Sequence, residues 1–213
     1  MAFDAYIFDL DGTLLDTLPD LVDLTNKVLQ ECGWPPRSPQ EILSFVGDGG
    51  LALLKRAAPG GTSEAAVQRA FETWEALYPS YGHRDTHPYE GIPQLLVSLK
   101  ARGAKLGVLS NKFDDAVGQV IGRHFPGVFD EARGECAEIP RKPDPAGLRA
   151  MLERFAVEPR RAAYIGDSVG DILTAQRAGA FPIGVTWGYQ PAAALEEAGA
   201  SWMAGTPAQI LEA

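Results

Sequence analysis

The stretch Ala5-Tyr6-Ile7-Phe8-Asp9-Leu10-Asp11-Gly12-Thr13-Leu14-Leu15-Asp16 sets the reading of the whole chain. Its apolar run ends in carboxylates and a glycine, the pattern of a buried parallel strand that stops at a loop. An acidic loop ahead of a helix is ordinary capping chemistry, and that accounts for Asp16. It does not account for Asp9. A carboxylate at the inner end of a buried strand is strongly unfavourable unless a cation or hydrogen bonds compensate it. Asp9 and Asp11 are therefore candidates for metal or substrate binding.

Outward from this strand the chain has two rhythms. From Thr17, a candidate N-cap, apolar residues recur at helical spacing to Gly33, and Ser38 to Val46, Leu51 to Ala58 and Ser63 to Tyr78 also read as helices with no strand signal between them. The stretch from Tyr78 to Pro88, with Pro79, Gly82 and Pro88, reads as a hinge. Beyond it strands and helices alternate: helix at Ile92 to Lys100, strand at Lys105 to Leu109, helices at Phe113 to Phe125 and Pro145 to Phe155, strand at Ala162 to Ile165, helix at Ile172 to Ala178 and strand at Pro182 to Thr186. Such alternation predicts an α/β fold, a Rossmann-like parallel sheet with ligands bound beyond the carboxyl ends of its strands. The expected division is a core of residues 1–16 and 87–213 with an all-α block, 17–86, inserted after the first strand.

Three more constellations fall at predicted strand ends or in the loops beyond them. Ser110-Asn111 offers a hydroxyl and backbone N–H groups to an anion, Arg141-Lys142-Pro143-Asp144-Pro145 places a lysine before a helix start, and Gly166-Asp167-Ser168-Val169-Gly170-Asp171 again sends carboxylates out of an apolar strand. Each alone has an ordinary explanation as a turn, a solvated lysine or an N-cap. Together they would gather Asp9, Asp11, Ser110, Lys142, Asp167 and Asp171 on one rim. Acidic groups with one Ser and one Lys suit Mg²⁺, which prefers oxygen ligands, and a phosphoryl group, whose oxygens Mg²⁺ also accepts.

Composition narrows the partners. Across 213 residues, Lys+Arg 19 against Asp+Glu 28 gives a formal net charge of −9, which disfavours nucleic acid. Cys32 and Cys136 are too few for a disulfide framework. The opening residues show no basic and apolar leader and no later stretch reaches a membrane span, so the expectation is a soluble cytoplasmic protein with no membrane partner, monomeric or homodimeric.

In order and wording, Asp-Leu-Asp-Gly-Thr-Leu-Leu-Asp at 9 to 16, Leu-Ser-Asn-Lys at 109 to 112, Arg-Lys-Pro-Asp-Pro at 141 to 145 and Gly-Asp-Ser-x-x-Asp-Ile at 166 to 172 resemble the haloacid dehalogenase-like superfamily of phosphohydrolases. Phe45-Val46-Gly47-Asp48-Gly49-Gly50, the following Leu54-Lys55-Arg56-Ala57, and Trp187-Gly188-Tyr189 resemble its phosphoglycolate phosphatase group, while Val169-Gly170 departs from the polar pair that relatives often carry. The resemblance implies that Asp9 is a nucleophile forming an aspartyl-phosphate and Asp11 the general acid and base. It implies that Asp9, the backbone carbonyl of Asp11 and Asp167 hold Mg²⁺ with Asp171 in support, and that Ser110, Asn111, Lys142 and backbone N–H groups near Gly12 bind the phosphoryl group. The all-α block becomes a helical cap, expected to act as a lid and to choose the substrate. The Gly47 to Gly50 turn, Gly49 included, opens a helix whose positive terminus favours anions, and Lys55 and Arg56 follow. These residues are expected to meet the carboxylate of a small phosphorylated acid such as 2-phosphoglycolate, Arg56 being favoured for its planar fork. A phosphatase for another small organophosphate or pyrophosphate, or a sugar-phosphate mutase, shares the same core chemistry. A dehalogenase has no need of Asp11 to protonate its leaving group, and a silent phosphate-binding regulator would be expected to have lost a motif residue.

Overall fold

Side-chain alternation along the first strand decides the architecture. In the computed structural model, which describes residues 3–81 and 84–213, strand β1 spans Ala5–Phe8. Ala5 and Ile7 enter one apolar cluster and Tyr6 and Phe8 another, so both faces of the strand are buried. The chain divides into two compact units, Met1–Leu15 with Pro88–Ala213, and Asp16–His87. Two short strands, β2 at Leu15–Asp16 and β3 at His87–Pro88, form a two-stranded sheet.

The first unit is a sheet with helices on both faces. After β3 the elements run α5 (Ile92–Ala101), β4 (Lys105–Phe113), α6 (Asp114–His124), β5 (Glu131–Glu135), α7 (Ala146–Phe155), β6 (Ala162–Gly166), α8 (Val169–Ala178), β7 (Phe181–Val185), α9 (Ala192–Glu197) and β8 (Trp202–Ala204). The strand order is β5-β4-β1-β6-β7-β8, every pairing in it parallel. Side chains of α5 and α6, among them Leu95, Leu99, Val117 and Val120, pack in the cluster of Tyr6 and Phe8. Leu148, Met151 and Leu152 of α7 and Ala175 of α8 pack in the cluster of Ala5 and Ile7. Each large side chain so buried contributes about 1.5–3 kcal/mol. Successive strands grow outward from β1 to one side as far as β5, then from β1 to the other, so β1 with its neighbours is the topological switch point, where a doubly wound sheet opens its crevice.

The second unit is helical: α1 (Leu18–Glu31), α2 (Pro39–Phe45), α3 (Gly49–Ala57) and α4 (Glu64–Tyr81). Thr17 stands at the N-cap position of α1 without a side-chain capping bond, and Asp16 Oδ1 instead accepts from Leu18 N at 3.1 Å. Ser38 and Glu41 form a reciprocal capping box on α2. The expected hinge begins too early, because α4 continues through Pro79 to Tyr81; a proline in a last turn removes one backbone donor and leaves the preceding bonds in place. Gly82 of that hinge lies outside the described residues. Among the described residues no helix is long and apolar enough to cross a membrane.

Asp20 ties the two ends of the helical unit together. Its carboxylate, 2% exposed, accepts from Arg84 N, Asp85 N, and both Thr86 N and Thr86 Oγ1. Burial pushes its pKa up, but the Thr86 hydroxyl and the three backbone N–H donors outweigh that and hold it below the ordinary carboxylate value. The bonds therefore stabilise the fold above pH about 4 and lose their contribution as the pH falls through the lower folded-state value. We expect Asp20→Ala to destabilise the protein by about 2–3 kcal/mol in urea unfolding at neutral pH, with the gap to the native chain shrinking in acid. A change within experimental error would show that the bonds do not hold the unit.

Candidate active site

The register of the sheet delivers the acidic residues side by side. Phe8 is level with Val108 of β4 and Ile165 of β6, and Asp9 N extends the ladder by donating to Ile165 O at 2.8 Å. Asp9 and Asp167 thus follow the ends of β1 and β6 directly, beside Ser110 within the neighbouring β4, and all three are buried, at 8%, 2% and 4% exposure. The chain then turns sharply, with Leu14 N and Leu15 N both donating to Leu10 O and Gly12 N to Leu15 O. Gly12 has φ +83°, and a Cβ there would collide with the Asp167 carboxylate. A Cβ on Gly188 would strike both Asp167 and Gly12 O, so two glycines let the loops after β1 and β7 close on Asp167.

Each buried charge has a distinct set of partners. Lys142, 6% exposed, lies with Nζ 2.7 Å from Asp171 Oδ1 and 2.7 Å from Asp9 Oδ1. Its hydrogen bond is directed at Asp171, and Asp9 Oδ1 is left as a buried oxygen with an ion pair but no aligned donor. The second oxygen of Asp171 accepts from Ser168 Oγ at 2.6 Å and Ser168 N at 3.0 Å, which is the capping box of α8. Asp167 accepts from Thr13 Oγ1 and from Tyr189 N, both at 2.8 Å. Burial raises Asp9 to about 8, with Lys142 opposing and Asp171 and Asp167 adding to the rise. Burial and then Asp171 raise Asp167 to about 7, against the bonds from Tyr189 and Thr13. Burial draws Lys142 down, but Asp171 and Asp9 outweigh it and hold the ammonium well above its usual pKa, so it stays charged.

Two expected site residues have other partners. The Asn111 side chain, expected on the phosphoryl group, brackets the main chain of Lys142, accepting from Lys142 N at 2.8 Å and donating to Lys142 O at 3.4 Å, and so sets where that lysine starts. The Arg56 guanidinium bonds Phe45 O at 2.8 Å and pairs with Asp48, closing the α2–α3 turn that leads into Gly49, while Lys55 is exposed and 3.8 Å from an exposed Glu64. Asp11 is paired with Lys112. Thr13, Lys112 and the Tyr189 N–H, which lie within the motifs but have no role assigned from the sequence, and Tyr164, which the motifs do not include, also bond or pack against the site residues. Tyr164 is wholly buried beneath Lys142, its ring centre 5.6 Å from Nζ and its hydroxyl donating to Leu109 O at 2.7 Å.

The residues present fit a hard divalent cation. Carboxylate oxygens of Asp9, Asp167 and Asp171 lie within 4.8 Å of one another, the donor set is oxygen only, and Asp9 Oδ1 lacks an aligned donor. The Lys142 hydrogen bond is directed at Asp171, while Asp9 Oδ1 has no aligned donor and the Asp167 oxygens accept only from a hydroxyl and a backbone N–H. Because protons compete for carboxylates raised to about 7 and 8, Mg²⁺ should stabilise the protein more strongly at pH 8.5 than at pH 6. A thermal-shift titration checks this. Asp167→Ala should abolish the Mg²⁺-induced rise in Tm, and a rise that persists would place the ion elsewhere.

A family model for haloacid dehalogenase-like hydrolases matches residues 6–185. A phosphoglycolate phosphatase of Psychrobacter arcticus is 34% identical over 193 residues, covering 86% of this chain and 83% of that protein. One from Vibrio parahaemolyticus is 29% identical over 212 residues, covering 96% and 93%. The fold matches a crystal structure from Lactobacillus delbrueckii subsp. bulgaricus, a protein provisionally named a phosphoglycolate phosphatase, with a TM-score of 0.93 at 31% identity over 100% of this chain and 98% of that one. With the match running from β1 through β7 and the acidic strand ends in place, the chain belongs to the haloacid dehalogenase-like hydrolases.

Proposed function

We propose that this protein is a Mg²⁺-dependent phosphatase that hydrolyses a small phosphomonoester through an aspartyl-phosphate on Asp9, with 2-phosphoglycolate as its preferred substrate. The observation that carries the reading is Asp9 itself, a buried carboxylate with an oxygen that no aligned donor occupies, 2.7 Å from a buried ammonium. An Asp9 oxygen attacks phosphorus as the ester P–O bond breaks, and Asp11 gives its proton to the leaving alkoxide. In the second half, Asp11 takes a proton from the water that attacks the acyl-phosphate, restoring Asp9 and releasing phosphate. Lys142 offsets the repulsion between the carboxylate and the anionic phosphoryl group, and Ser110 offers its hydroxyl to a phosphoryl oxygen. Asp9 and Asp167 would hold the Mg²⁺, which when bound supplies charge neutralisation at the phosphoryl oxygens.

The named relatives support 2-phosphoglycolate as the substrate. The core residues address only the phosphoryl group, so the carboxylate falls to the helical unit. With the Arg56 guanidinium held by Phe45 O and Asp48, Lys55 becomes the stronger candidate of the pair. Asp9→Asn should abolish turnover and capture of beryllofluoride, since an amide is a poor nucleophile; turnover near the native rate would remove Asp9 from this role. Across a panel of phosphometabolites, Lys55→Ala should lower kcat/KM for 2-phosphoglycolate by about ten- to a hundredfold and leave a neutral alkyl phosphate unaffected. If neither Lys55→Ala nor Arg56→Ala discriminates the two substrates, the specificity assignment is wrong.

A further inference from the structure

The Asp11 carboxylate is held by a lysine that composition and spacing give no reason to single out. Lys112 Nζ lies 3.0 Å from Asp11 Oδ1 and 2.8 Å from Oδ2. Both side chains are largely withdrawn from water, at 8% exposure for Lys112 and 17% for Asp11. Lysine is almost never buried without a partner, and ordering its four-carbon stem costs roughly 2 kcal/mol of rotamer entropy, so this is not an incidental surface pair.

The backbone beneath Lys112 is fixed as firmly as its ammonium. Strand β4 runs on past its apolar portion to Phe113, and the pairing with β5 shifts register between Leu109 and Phe113, an irregularity of the kind that re-aims side chains beside a site. Gly134 of β5 comes so close that a Cβ on it would collide with Lys112 O, and Gly134 N is held by Asp114 Oδ1 at 2.7 Å, as is Arg133 Nε at 3.0 Å. Lys112 N donates to Ser110 Oγ at 3.2 Å, so one short segment places both the hydroxyl offered to phosphate and the lysine that grips Asp11.

We infer that Lys112 is a positioning residue for Asp11, fixing both carboxylate oxygens on the rigid end of β4 so that the acid and base stands ready at the leaving-group oxygen. A carboxylate has about four lone-pair sites, so an ammonium shared by its two oxygens leaves capacity for a substrate oxygen or a water. The inference rests on the proposed role of Asp11. A small displacement of such a group is enough to lower kcat substantially.

The experiment is a double-mutant cycle on the purified Mg²⁺-loaded enzyme with Lys112→Met, which keeps the aliphatic stem, Lys112→Arg, Asp11→Asn and the Lys112→Met/Asp11→Asn pair. Circular dichroism and Tm confirm that each is folded. On an alkyl phosphate, Lys112→Met should lower kcat by about 10- to 100-fold with KM within about twofold. On p-nitrophenyl phosphate, whose leaving group needs little protonation, the loss should be under about threefold. Lys112→Arg should recover much of the kcat, and Lys112→Met should cost nothing further in the Asp11→Asn background. A rise in KM with kcat unchanged, equal losses on both substrates, or a full additional loss in the Asp11→Asn background would each overturn the proposal and show that Lys112 acts on substrate or fold directly. If Asp11→Asn itself retains native kcat on the alkyl phosphate, the acid and base reading fails, and the proposal fails with it.

Discussion

Lys142 sits buried between Asp9 and Asp171, and the charges around it do not balance. Three carboxylates, Asp9, Asp167 and Asp171, share one ammonium in a region where none is more than 8% exposed. Such a cluster is unfavourable in a low-dielectric interior unless hydrogen bonds and further positive charge compensate it. Ser168, Thr13 and the Tyr189 N–H supply the first kind of compensation to Asp171 and Asp167. Asp9 receives none of it on Oδ1, and burial together with the neighbouring carboxylates pushes its pKa up despite Lys142. A divalent cation would bring the cluster to neutrality, and Asp9, Asp167, Asp171 and Lys142 would then form one electrostatic unit with it.

Much of the core unit can be understood as the mounting of that cluster. The parallel register sets the ends of β1 and β6 beside Ser110 of β4, the two apolar clusters bury both faces of β1, and the closeness of Gly12 and Gly188 to Asp167 keeps the connecting loops tight. Asn111 fixes the main chain of Lys142, Tyr164 lies under its side chain, and Asp171 draws its ammonium inward from the first turn of α8. Mutating any of these should move the lysine without touching substrate, which separates them from Asp9.

The parts legible from the sequence were those whose signal is local. The β1 run into Asp9, the β6 run into Asp167 and the periodic helices each carry their pattern within a dozen residues. What escaped depends on pairing across the chain. Strand β5 reads Glu-Ala-Arg-Gly-Glu, an edge strand with no apolar run, and is recognisable only by its ladder to β4. The short strand β8 at the opposite edge, and helix α9 before it, were likewise unread. The bond between the Asn111 side chain and the Lys142 backbone joins residues 31 positions apart, beyond the reach of any local pattern. Lys112 and Asp11 are separated by 101 positions, a distance at which no spacing rule operates. Pro79 suggested a break where helix packing carries the chain on to Tyr81.

The central claim is that the buried, incompletely satisfied carboxylate of Asp9 is the atom group that receives the phosphoryl. Rapid acid quench of the Mg²⁺-loaded enzyme during turnover of 2-phosphoglycolate or p-nitrophenyl phosphate, followed by peptide mass spectrometry, locates any covalent phosphate. A phosphoryl group on the peptide containing Asp9, mapped to Asp9 and absent from Asp9→Asn, is the result expected. Sustained turnover with no phosphopeptide at the shortest quench times, or with the label on another residue, would contradict it.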